Sequence, residues 1–177
     1  MSRSTEPAAV DRLSIRERPE GTPLMEHHWG KLLFMHWALE PELVRPLVPE
    51  GLTLDTFEGR AWVGVTPFTL WDVRLSFTPP APWLSDFHEL NVRTYVHREG
   101  TPGVWFFSLN TNSLTTVVGA RALYHLPYFN SSIDLEQDGQ VIYYDLRRTS
   151  SERGGEFHAA WRFGDELPPL YRLPDAR

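Results

Sequence analysis

From residue 28 onward the chain is filled with short runs in which apolar and polar residues alternate, the spacing of half-buried strands. His28 to Trp37 is dense in large apolar and aromatic residues and predicts the first strand. Pro41 follows Glu40, and proline fits the first turn of a helix. Leu43, Val44 and Leu47 then form an apolar stripe ended by Pro49 and Gly51, which predicts one short helix over Pro41 to Leu47. Arg60 to Trp71 is rich in Val, Thr, Phe and Trp and predicts a strand. Val73 to Asp86 reads as a loop, since Pro79, Pro80 and Pro82 cannot donate to a ladder. Phe87 to His97 and Val104 to Leu109 predict a hairpin about the turn Gly100 to Gly103.

Ser113 to Tyr124 changes period. Leu114, Val117, Val118 and Ala122 share a helical face, Ser113 can cap it, and Pro127 ends it. Asp138-Gly139 is a turn between Ser131–Glu136 and Gln140–Thr149, and Gly154-Gly155 introduces a last strand over Glu156 to Phe163. The expected fold is mainly β, six to eight strands with one or two short helices. The strands are mostly antiparallel, as in a sandwich or partly closed barrel. Residues 1–26 are polar with little periodic hydrophobicity and are expected to be a flexible arm. Residues 27–165 form the domain and 166–177 a tail.

The strand from Phe87 to His97 carries the most chemistry. Alternation puts Phe87, Glu89, Asn91, Arg93 and Tyr95 on one face, and Leu90, Val92 and Val96 on the other. A solvated polar face is the plain reading. The sharper one turns this face into a cavity, where Glu89, Asn91 and Arg93 stand about 7 Å apart as acceptor, amide and cation. A buried carboxylate near a guanidinium is a candidate acid–base or substrate-orienting group.

Composition narrows the chemistry. Among 177 residues there is no Cys, and Lys31 is the one lysine among 17 basic residues. Disulfides, thiolate metal sites and cysteine catalysis are therefore excluded. A formal net charge of −6 argues against nucleic acid as a partner. The longest apolar run, Leu32 to Met35, is far short of a membrane span, and the N-terminal polarity suggests the cytoplasm. His27, His28, His36, His88, His97, His125 and His158 are scattered, without a compact metal spacing. No nucleophile elbow, P-loop or dinucleotide fingerprint is present, so neither metal nor cofactor is expected. Trp29, Trp37, Trp62, Trp105 and Trp161 lie in predicted strands, where core packing is the default. Trp71 and Trp83 are harder to place, and the proline-rich loop carrying Trp83 could cover a pocket.

Four segments carry a resemblance: FMHWALEPELVRPLVPEGLTLDTFEGRAWVGVTPF, FHELNVRTYV, PGVWFFSLN and GARALYHLPYF. In this order, over roughly Trp29 to Phe163, they resemble the YqjF-like family of uncharacterised bacterial proteins. The resemblance implies an acetoacetate-decarboxylase-like fold, an antiparallel barrel around a mostly apolar cavity. Against the more distant decarboxylases, their V-P-E-P-L phrase is similar to Val48-Pro49-Glu50-Gly51-Leu52, and their cavity glutamate falls on Glu89. Their G-R-E-x-x-x-x-P-K-K segment is similar to Arg121 through Pro127-Tyr128-Phe129, so the lysine pair that supplies the Schiff base becomes Tyr128 and Phe129. An arginine of theirs falls at about Gly30 and a second cavity glutamate near Trp62. The family usually continues past the Phe163 region, which suggests a chain short at its C-terminus, with an open sheet edge and self-association through it.

Imine chemistry needs a desolvated amine, which Tyr128 lacks, and Lys31 has no neighbouring lysine to depress its pKa. The first expectation is a small-molecule-binding protein with an apolar cavity. Its polar groups would be Glu89, Asn91, Arg93, Arg121 and Tyr128, with Trp62 in the wall and His125 nearby. A second is a non-covalent acid–base enzyme of lyase or isomerase type on a small keto or carboxylate compound, using Glu89 with Tyr128 or His125. A third is a structural or interaction domain without an open pocket.

Overall fold

The computed structural model describes Val10, Arg12 and residues 20–79, 86–149 and 154–165. Most of the expected arm, residues 80–85 of the expected loop with Trp83, and the tail lie outside the described residues. The described chain forms β1 (Met25–Gly30), β2 (Met35–Leu39), α1 (Pro41–Val44), a 3-10 turn (Arg45–Leu47), β3 (Thr53–Leu54) and β4 (Thr56–Phe57). It continues with β5 (Arg60–Leu75), β6 (Phe87–Arg98), β7 (Thr101–Thr111), α2 (Leu114–Tyr124), β8 (Tyr128–Asp138), β9 (Val141–Arg148) and β10 (Glu156–Arg162).

All ten strands join one sheet in the order β1-β5-β6-β7-β8-β9-β10, with β2 and β4 also on β5 and β3 on β6. The sheet curls into a half-barrel. Leu90 of β6 packs in one cluster with Ile133 of β8 and Tyr144 and Leu146 of β9, although those strands lie two and three places away along the sheet. A second cluster seats Val44 and Val48 against Ala61 and Val96, so α1 and its 3-10 turn plug one end.

Three expectations change. The first predicted strand is two strands, both antiparallel to β5. The break lies opposite Pro67: β1 ends at Gly30 against Thr69 and β2 begins at Met35 against Val65. Pro67 accepts from Leu33 N–H at 3.1 Å on that side but has no N–H to return, and Lys31 turns the chain with φ 47°. The predicted loop starts later, because Arg74 and Leu75 still pair with Glu26 and Met25. This also draws the end of the expected arm into β1. The sheet is mixed, since β8 runs parallel to β7 over Leu109–Thr111 and Tyr128–Asn130. A parallel neighbour needs a crossover, and α2 is that crossover. Its start is capped by Ser113, whose side chain accepts from Thr116 N–H at 3.3 Å.

Candidate functional site

Register places the site. Antiparallel pairing sets Phe68 beside Glu89, Glu89 beside Thr111, and Asn91 beside Leu109, and cross-strand partners share a face. That face is the polar face of β6, and it is covered. Glu89 is 5% exposed and Asn91 3%. The crossover helix α2 lies over it, contributing Thr116, Ala120 and Tyr124 to a cavity of about 580 Å³. Phe68, Phe87, Leu109 and Trp29 supply apolar walls, and Glu89, Asn91, Arg93 and Tyr128 the polar groups.

Glu89 and Tyr128 are joined. The Tyr128 hydroxyl donates to Glu89 Oε2 at 3.0 Å. Burial raises the Glu89 carboxyl from its ordinary 4.5 to about 7, and the hydrogen bond from Tyr128 opposes that rise. Burial and the facing carboxylate hold Tyr128 well above the usual phenol range. Burial and Glu89 do the same to Tyr144, whose Oη finds no hydrogen-bond partner among the described residues. The site thus presents a neutral phenol, Tyr128, and a carboxyl that changes charge near neutral pH.

Arg93 shares the cavity but does not pair with Glu89. Its guanidinium carbon lies 5.5 Å from the Phe34 ring centroid and 5.8 Å from that of Tyr95, and its Nε finds no partner among the described residues. Asn91 Oδ1 is likewise buried without a partner. Asn91 and Arg93 thus bring a buried, unpartnered acceptor atom and a buried, unpartnered donor atom to the wall of the same cavity.

The other expected residues are elsewhere. Arg121 Nε donates to the Tyr128 carbonyl at 2.6 Å, so it braces the start of β8 rather than the cavity. His125 is the left-handed cap that follows α2, with φ 54°. Trp62 lines a different hollow with His36 and Tyr95. The arginine implied near Gly30 has no room, since a Cβ there would come within 2.1 Å of the Trp71 indole. Trp71, hard to place from sequence, fills that space. Lys31 lies close enough to His88 to depress its pKa, after burial, and is not among the residues lining the Glu89 cavity. Among the described residues no three His, Asp or Glu are placed to hold a metal ion. No helix among them is long and apolar enough to cross a membrane.

Sequence reasoning missed Trp29 and the α2 residues Thr116, Ala120 and Tyr124 as parts of the site. Trp29 had a signal, in that it pairs with Leu70 on a strand predicted as such.

Residues 26–173 match the family DUF2071, described as "Uncharacterized conserved protein". The chain belongs to this family. A DUF2071 relative, "Uncharacterized protein YqjF" of Bacillus subtilis (strain 168), is 41% identical over 144 residues, covering 81% of this chain and 59% of that protein. The chain therefore spans about three fifths of that relative's length. Among solved structures it is similar to the enduracididine biosynthesis enzyme MppR complexed with pyruvate, with TM-score 0.58 and 16% identity over 88% of this chain and 64% of that one. It is also similar to the acetoacetate decarboxylase of Legionella pneumophila, with TM-score 0.54 and 14% identity over 83% and 56%. These likenesses establish that the DUF2071 chain has the acetoacetate-decarboxylase-like fold.

Proposed function

We propose that this DUF2071 chain binds a small keto or carboxylate compound in the cavity between α2 and the sheet. One observation carries the reading. Glu89, 5% exposed and held near pH 7, stands with the Tyr128 hydroxyl inside an otherwise largely apolar space. An apolar pocket with a few convergent polar groups is the usual form of a small-molecule site. Arg93, unpaired among the described residues, suits a carboxylate, and Tyr128 with protonated Glu89 can both donate to a carbonyl oxygen. MppR, a neighbour in fold, is complexed with pyruvate, a compound of this class. Imine chemistry is not part of the reading, because the position similar to the decarboxylase lysine is Tyr128 and lies at the cavity.

Titration calorimetry with pyruvate and acetoacetate tests it. Saturable heat that falls when Arg93 is replaced by Ala supports the reading, and binding unaffected by both Arg93→Ala and Glu89→Gln defeats it. A second reading, general acid–base catalysis on such a compound, is favoured by the Glu89 pKa alone, since a carboxyl near 7 can both hold and release a proton at neutral pH. Glu89→Gln would then abolish turnover while binding survives.

A further inference from the structure

The Glu89 face of β6 does not end at Arg93. Two residues on, Tyr95 points to the same side and enters a separate hollow of about 780 Å³. One wall is aromatic: Phe57, Trp62 and Tyr95. Val104, opposite Tyr95 on β7, and Pro102 and Gly103 form another. Apolar surface is left open toward it, with Phe57 57% exposed and Val104 40%. Contiguous exposed apolar surface of this kind marks a binding site more often than chance.

Two polar features face this hollow, an ion pair and a His–Tyr contact. Asp55 is matched by Arg12, whose Nε donates to Oδ2 at 3.1 Å and whose Nη2 donates to Oδ1 at 2.5 Å. His36 Nε2 and Tyr95 Oη are 2.6 Å apart, an approach that Gly64 permits, because a Cβ there would lie 3.1 Å from His36 Nε2. Burial, and then nearby Arg93, lower the His36 pKa from its ordinary value. In either His36 tautomer the Tyr95 oxygen retains a lone pair that can accept another hydrogen bond.

We infer that this hollow is a second ligand site, distinct from the Glu89 cavity, for an uncharged planar aromatic compound that donates a hydrogen bond to Tyr95 Oη. Aromatic walls favour a flat ring, the compensated charges disfavour an ion, and the free lone pair asks for a hydroxyl or N–H donor.

The test is titration calorimetry and ligand-observed NMR on the full chain with indole, its donor-less isostere benzothiophene, and benzoate. Indole should bind, benzothiophene about fivefold more weakly, the worth of one net hydrogen bond, and benzoate more weakly still. Tyr95→Phe should remove the difference between indole and benzothiophene. Gly103→Leu, at a position where an added Cβ meets nothing within 4 Å, should fill the hollow and abolish indole binding. Glu89→Gln should leave it unchanged. The inference is overturned if indole does not bind the unsubstituted chain, or if benzoate binds as well as indole. It is equally overturned if indole binding is lost with Glu89→Gln and kept with Tyr95→Phe. Concentration-dependent dimerisation that Gly103→Leu abolishes while indole has no effect would assign the hollow to a second copy instead.

Discussion

Tyr128 donates its hydroxyl proton to Glu89 Oε2 at 3.0 Å from a strand that is not its neighbour. β7 lies between β6 and β8, so the bond reaches across a strand on the covered face of the sheet. It holds a carboxyl and a phenol together at one point of a cavity to which α2 contributes a wall.

Glu89 should make stability depend on pH. Its folded-state pKa is raised, from 4.5 to about 7. The folded chain therefore binds more protons than the unfolded chain between those values, and stability falls as pH rises through that window. The displacement corresponds to about 3 kcal/mol lost in full above pH 7. Denaturant unfolding at pH 4, 5.5, 7 and 8.5 should show Glu89→Gln becoming more stable relative to the parent by about that amount across the series. A constant difference at all four pH values would contradict it.

Tyr128→Phe removes the group that opposes the rise in Glu89. The carboxyl should then titrate at still higher pH than in the parent, read directly from its side-chain carbon resonance in NMR. Stability at pH 8 should drop by about 1–3 kcal/mol, since a buried carboxylate loses its donor. A Glu89 titration moved downward would show that another donor serves it.

Arg93 should decide affinity for anions. Its guanidinium faces Phe34 and Tyr95 rings rather than a carboxylate, so removing it leaves no orphaned acid. Arg93→Ala should weaken carboxylate binding at least about tenfold, with little change in melting temperature in the absence of ligand. Arg93→Lys should restore only part of it, because the ammonium lacks the planar fork.

Ser113→Ala should fray the wall of the cavity. The Ser113 hydroxyl accepts from Thr116 N–H, and Thr116 is itself a lining residue. Loss of such a cap costs about 1 kcal/mol. Amide exchange in the first turn of α2 should quicken while that of β6 stays unchanged.

Gly30→Ala should destabilise the chain by about 1–3 kcal/mol, because its Cβ would overlap the Trp71 indole. Trp71→Ala in the same chain should recover part of the loss, measured by denaturant midpoint. An unaffected midpoint in Gly30→Ala would mean that Trp71 moves aside at no cost.

The strands and both helices were legible in the sequence where a local rule governs them. Period-two alternation placed Glu89, Asn91 and Arg93 on one face of β6. Ser113 and Pro127 bracketed α2, and Asp138-Gly139 marked a hairpin whose strands are now β8 and β9. Each of these depends on residues within one strand or one turn. The break at Lys31 was less visible, because it depends on Pro67, a residue of the facing strand that lacks the N–H the edge would need.

What only the tertiary structure decided is which face was covered and what met there. Alternation alone makes a polar face, and a polar face is solvated unless something lies over it. The parallel return of β8 forces a crossover, the crossover is α2, and α2 forms one wall of the cavity in which Glu89 is buried. The same curl packs Tyr144 against Leu90 on the opposite face of β6 and leaves Trp62 in another hollow. Residue types and periods are local, whereas burial, and with it the Glu89 pKa, is set by chain segments about 20 to 60 residues away in sequence, from Phe68 to Trp29.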